Sequence, residues 1–148
     1  MNLKKILTVS VLAAVFVLIG VYARVNVVTS PAGQYQKIDY GANMPVDFPT
    51  DIPIGEGVKV EQSYGLNYTG QKQLTIVFLS AKTTEENYAI YVDFLEKQKW
   101  NISNKYASST ISSLYGTKGN YDINVTIHED EQSPSILSQV SISVLKKP

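Results

Sequence analysis

The chain has 148 residues, 44% hydrophobic and 18% charged, which is material for one ordinary globular domain plus attachments. It contains no cysteine, which excludes disulfides, thiolate metal sites, a cysteine nucleophile and a lipidated N-terminal cysteine. The formal charge is zero, but Lys4, Lys5 and Arg24 all lie near the N-terminus and the remainder carries ten lysines, no arginine and thirteen carboxylates. That balance argues against a nucleic-acid partner, because bidentate phosphate contacts favour arginine and affinity rests on net cationic charge.

Ile6 to Ala23 is an uncharged run of eighteen residues, at the short end of a membrane span. Its apolar side chains surround the helix rather than forming a stripe, which suits lipid. Lys4 and Lys5 hold the N-terminus on the cytoplasmic side. The expectation is a single-pass anchor within residues 1–28, with everything C-terminal to it outside the cytoplasmic membrane. A cleaved signal peptide is the alternative: Val21-Tyr22-Ala23 offers a small-residue site, and cleavage there would release a secreted protein beginning at Arg24. The length of the run and the continuation through Val25, Val27 and Val28 favour the anchor.

Residues 29–50 read as a tether that merges into a Pro/Asp strap. The first part shows no sustained period. The strap, MPVDFPTDIPIGEG from Met44 to Gly57, places prolines at 45, 49 and 53 with Asp47 and Asp51 between them. Proline removes donors and forbids a central strand. Read as extended chain, Val46, Phe48, Ile52 and Ile54 fall on one side and the aspartates on the other. The strap is therefore expected to pack its apolar side along a domain spanning 51–148.

Within that domain Val58, Val60, Gln62 and Tyr64 alternate with Lys59, Glu61 and Ser63, a strand pattern. Leu74 to Leu79 is apolar on both faces and reads as a central strand, paired with the first through a turn at Asn67-Tyr68-Thr69-Gly70. Thr83-Thr84-Glu85-Glu86 is a capping box, and Tyr88, Tyr91, Val92 and Leu95 follow at helical spacing, so a helix should run from about Thr84 to Gln98. Ile102, Asn104 and Tyr106 alternate; Ile111 to Gly116 forms a further strand; Lys118-Gly119-Asn120 is a tight turn into Tyr121, Ile123, Val125 and Ile127. His128 to Pro134 reads as a polar loop, and Val140, Ile142 and Val144 alternate in the last strand. The expected fold is a two-layer α+β domain of order ββαββββ, one helix packed on an antiparallel sheet whose other face meets water.

That polar face supplies the candidate ligand-binding residues: Asp122, Asn124, Thr126 and His128 in a row along one strand, Ser141 and Ser143 on another, with Tyr68 as an exposed stacking platform. Set against this is the plain wet face of a one-sided sheet. Trp100 and Tyr121 read as core residues. His128-Glu129-Asp130-Glu131 lacks metal-ligand spacing, and successive residues of an extended chain diverge. No nucleophile elbow, phosphate-cradling loop or zinc signature appears, so no catalytic residue, metal or cofactor is assigned.

The lead PVDFPTDIPIGEGVKV, the strand pair, a helix ending in EKQKW and an alternating apolar tail resemble small uncharacterised bacterial membrane-anchored envelope proteins with a P-x-D-F-P-x-D-φ-P-I lead before an α+β domain. The likeness covers roughly Met44 to Leu145. The sequence departs from the pattern at Lys99, where glycine is expected before Trp100, and at Gly55-Glu56-Gly57, where Tyr-Pro-Gly is common. The resemblance implies an extracytoplasmic setting and no particular activity. The functional expectation is a membrane-anchored, non-catalytic binding or envelope-assembly module with an envelope protein or glycan as partner; the alternatives are a cell-envelope hydrolase and a structural spacer domain.

Overall fold

The computed structural model describes residues 35–148. In chain order the elements are β1 (Tyr35–Gly41), β2 (Val60–Tyr68), β3 (Gln71–Ser80), helix α1 (Thr84–Lys97), β4 (Asn101–Ala107), β5 (Ile111–Lys118), β6 (Tyr121–Ser133) and β7 (Ile136–Lys146). The strands form one antiparallel sheet in the order β1-β2-β3-β7-β6-β5-β4. The helix covers one face of it, so the two-layer α+β arrangement is present. No helix among the described residues is long and apolar enough to cross a membrane; the expected anchor lies outside those residues.

The alternation of β3, β7 and β6 builds the core. In register, Leu74 faces Val144 and Ile123, Ile76 faces Ile142 and Val125, and Phe78 faces Val140 and Ile127. All nine are buried, and Leu114 of β5 extends the middle row. Each such side chain stabilises the fold by roughly 1.5–3 kcal/mol relative to exposure. From α1, Tyr91, Phe94 and Leu95 join this cluster, with Tyr88 and Val92 half-buried beside it. Where the helix begins, Asn87 Nδ2 donates to Ser80 Oγ at 3.0 Å and to Ser138 Oγ at 2.9 Å, closing one end of the core with a satisfied polar network.

Both helix ends follow their local chemistry. Thr83 Oγ1 accepts from the Glu86 N–H and Glu86 Oε2 accepts from the Thr83 N–H, the reciprocal box read from the sequence. At the C-terminus, Trp100 N–H donates to Leu95 O and Lys99 N–H to Glu96 O, the paired bonds of a Schellman motif. That motif requires a left-handed residue, and Lys99 supplies it with φ 59°. This is the position where the resemblance calls for glycine.

Several expectations are corrected. The segment expected to be a tether contains strand β1, which pairs only with β2 and so stands at the sheet edge. Bulges interrupt the alternation of β2 between Val60 and Gln62 and of β4 between Ile102 and Asn104. Val60 and Ser63 are therefore the buried pair, and Tyr64 turns to the open face. The expected loop from His128 is instead the end of β6, because β7 starts early enough to pair Glu129 with Ser138.

The strap is not extended. Phe48 N–H donates to Pro45 O in a turn, and a second turn is centred on Thr50–Asp51. The repeat is thus Pro-x-Asp-φ, and each turn delivers its fourth residue, Phe48 or Ile52, to the core at 4% exposure. Val46, assigned by parity to the buried side, is 94% exposed. Tyr91 Oη donates to Pro53 O at 2.7 Å, fastening the strap to the helix, and burial pushes the Tyr91 phenol well above its usual pKa.

Two outcomes follow. Phe48→Ala should cost about 3 kcal/mol in urea unfolding, as for other buried phenylalanines; a loss under about 0.5 kcal/mol would show that the strap contributes no core. Lys99→Gly should raise stability by about 1 kcal/mol by relieving the left-handed strain, and a decrease would mean that the Lys99 side chain contributes more than its backbone costs.

Candidate functional site

The register brings six of the seven candidate residues together. Asp122, Asn124, Thr126 and His128 share the open face of β6, with Ser143 opposite Asn124 and Ser141 opposite Thr126 on β7. Tyr68 stands apart near the end of β2, its ring centroid 5.7 Å from that of Tyr35. Part of the polar row is engaged within the protein. Ser143 Oγ and Thr75 Oγ1 are 2.8 Å apart and hydrogen-bonded. Asp122 Oδ1 accepts from Lys147 Nζ at 2.7 Å, a bond that raises the ammonium pKa. A hydrogen bond to the same carboxylate raises the Tyr115 phenol pKa. The residues directly opposite His128 are Ile111 and Gln139, neither an acid nor a nucleophile.

A second constellation lies on the other face, where the apolar grid stops. One rung beyond Leu74, Val144 and Ile123, the register sets Lys72 of β3 opposite Lys146 of β7, and Lys146 opposite Tyr121 of β6; Tyr121 in turn pairs with Lys118 of β5. Three lysines and a tyrosine thus form one continuous row across four strands. The strap turns bearing Asp47 and Asp51 stand on one side of it and Trp100 on the other, and together they enclose a groove of about 860 Å³. Lys118 Nζ lies 5.9 Å from the Trp100 ring centroid, and Lys146 Nζ lies 5.9 Å from that of Tyr121, within cation–π range.

The charges in this groove are unequally matched. Lys72 is ion-paired with Asp47 of the strap. Among the described residues neither Lys118 nor Lys146 has an ion-pair partner. The Trp100 indole N–H is buried without an acceptor. The groove therefore combines two aromatic rings, two uncompensated ammonium groups and the acceptor oxygens of the strap.

Sequence reasoning assigned Trp100 and Tyr121 to the core, against which both pack half-buried, and singled out none of these lysines. The tight turn after Lys118 was enough to align it with Tyr121. The Lys72–Lys146 juxtaposition was not accessible, because it depends on β3 and β7 being neighbours although Lys72 and Lys146 lie 74 positions apart (146 − 72) in the chain.

Comparison with protein-family models, with curated proteins and with solved structures finds no match for this chain.

The Lys72–Asp47 bond makes the strap sensitive to acid. Hydrogen bonding to Lys72, and then the attraction of its charge, hold the Asp47 pKa below the ordinary carboxylate value. A carboxylate lowered in this way stabilises the folded state above its unfolded pKa of about 3.9, and the contribution is lost as pH falls through the folded value. Trp100 is the only tryptophan and borders the same groove, so its emission should change as the pH is lowered from about 4 to about 2. Asp47→Asn should remove that step, whereas Asp93→Asn, which breaks the Lys97 pair on the helix surface, should keep it. Persistence of the step in Asp47→Asn would assign it to another carboxylate.

Proposed function

We propose that this protein is a single-pass, extracytoplasmic, non-catalytic binding module that holds its ligand in the groove beneath the strap. The observation that carries this reading is the row Lys72, Lys146, Tyr121 and Lys118. A sheet optimised only for stability would continue its apolar rows or alternate its charges, since like charges directly opposite each other are destabilising. Here two lysines face each other beside a concave surface of ligand size. The open face contributes less to this reading, because Asp122 and Ser143 already serve internal partners.

Anchoring rests on the uncharged run from Ile6 to Ala23 and its two-lysine start. On this reading the groove lies on the outer side of the cytoplasmic membrane, among envelope proteins and glycans.

Two measurements test the proposal. Fractionation should recover the full-length chain only with detergent; mature protein beginning at Arg24 in the soluble fraction would overturn the anchor. NMR of the full chain in detergent, titrated with a cell-wall extract, should shift the resonances of Lys72, Trp100, Lys118, Tyr121 and Lys146. Shifts confined to Asn124, Thr126 and His128 would move the site to the open face, and no shift anywhere would favour a spacer.

A further inference from the structure

We infer that the groove recognises an anionic glycan chain, a sugar or polyol backbone bearing carboxylate or phosphate groups. This rests on the groove being the binding site and specifies what it takes.

Charge supplies the first argument. Beyond Arg24 the chain carries thirteen carboxylates against ten lysines, yet one end of one sheet face collects Lys72, Lys118 and Lys146. Lys72 and Lys146 are directly opposite in register, where like charges repel. Asp47 pairs directly with Lys72 and attracts Lys146 only weakly, without direct contact. An anion placed between Lys146 and Lys118 would neutralise the two ammonium groups that have no ion-pair partner among the described residues. It would also remove the repulsion within the row.

Charge also alternates with aromatic surface along the groove. Each of these two ammonium groups sits over a ring, Lys118 on Trp100 and Lys146 on Tyr121. A cation held only by a ring quadrupole keeps most of its capacity to bind an anion. When a ligand draws the ammonium groups aside, the ring faces become available. A pyranose or polyol presents an apolar C–H surface to such rings, and its anionic substituents reach the displaced amines. Asp51 and Asn120, on the groove wall, supply an acceptor and an amide for hydroxyl groups. An acidic peptide would satisfy the lysines but brings neither a C–H face matched to the two rings nor the run of hydroxyl groups that Asp51 and Asn120 can bind. A neutral sugar would satisfy the rings and the wall but leave both ammonium groups unmatched.

The groove is open along the row rather than sealed, with Lys72 at one end and Lys118 at the other, three strand spacings apart. Neighbouring strands are separated by roughly 4.8 Å, so the row extends over roughly 14 Å. That reach matches two or three consecutive units of a chain better than a single monosaccharide.

The test uses the full-length chain in non-ionic detergent, with Trp100 emission and calorimetry as readouts. Four probes are compared: trigalacturonate for carboxylated glycans, short poly(glycerol phosphate) for phosphorylated ones, maltotriose as a neutral sugar, and hexaglutamate as an acidic peptide. The expected result is binding of trigalacturonate or poly(glycerol phosphate), whichever is preferred identifying the anion source, at least roughly tenfold tighter than maltotriose or hexaglutamate and weakened by added salt. Lys118→Gln with Lys146→Gln should reduce this binding by roughly tenfold or more. The single variant Lys146→Gln should unfold at the same urea concentration as the parent or a higher one, because it removes the repulsion with Lys72. A residue with a purely structural role would lose stability and binding together. Equal affinity for maltotriose, equal affinity for hexaglutamate, or binding insensitive to the double substitution would each overturn the inference. Failure of both anionic chains would overturn it too. In that case the wall-extract titration still decides separately whether the groove is the binding site: groove shifts with no anionic binding would retain the site and reject the ligand class.

Discussion

The structure depends on one covering problem. Seven strands at about 4.8 Å spacing make a sheet close to 30 Å wide, and its one apolar face must be kept from water. The only helix among the described residues has 14 residues, is about 21 Å long and, with side chains, about 10–12 Å across. It packs on β4, β5, β6 and β7, leaving the β3 side without helical cover. The strap answers this need. Its two Pro-x-Asp-φ turns lower Phe48 and Ile52 into the same core that Tyr91, Phe94 and Leu95 enter from the helix. The Tyr91–Pro53 hydrogen bond joins the two covers where they meet. Roof and helix are thus halves of one layer, one of them regular and the other built from turns.

The topology explains why the two halves must be held together. The hairpin β2–β3 forms early in the chain, the helix carries it across to the far edge at β4, and the meander β4–β5–β6–β7 returns. The last strand then inserts beside β3, so the central pairing of the sheet joins residues 72–80 to residues 138–146. The densest apolar rows lie at this seam, where three buried pairs face one another. Long-range closure of this kind is slow and relies on side-chain packing rather than local propensity.

Elements whose signals are local were legible in the sequence. The capping box, the helical spacing of Tyr91 and Leu95, and the alternation in β6 and β7 each arise within a few residues, and each appears in the structure. Edge strand β1 was not legible: most of its residues are exposed, and its pairing with β2 imposes no apolar period that a sequence can display. In the strap the residues were recognised but the geometry was wrong. Parity predicted that Val46 would be buried, whereas a proline every fourth position sets up successive turns whose fourth residues, Phe48 and Ile52, are buried together with Pro45 while Val46 points out. Bulges in β2 and β4 likewise defeated a strict period of two. The polar row of β6 and β7 was legible because its two strands are consecutive; the lysine row was not, because it gathers residues from four strands.

The covering problem and the groove have a common origin. The strap roofs the β3 side and the helix ends shortly before Trp100, and between these two edges the last rung of the sheet remains uncovered. An apolar rung there would expose hydrophobic surface to water. A rung of mixed charge would pair within itself and present nothing to a partner. The rung actually present, lysine, lysine, tyrosine and lysine, is soluble but electrostatically incomplete. Lys72 is drawn off by Asp47, which ties the rung to the roof, and the two remaining ammonium groups rest on aromatic rings. The Lys72–Asp47 contact, which adds to the buried anchors of the strap, therefore also forms one boundary of the groove, so a change in strap position alters the space available above the lysine row.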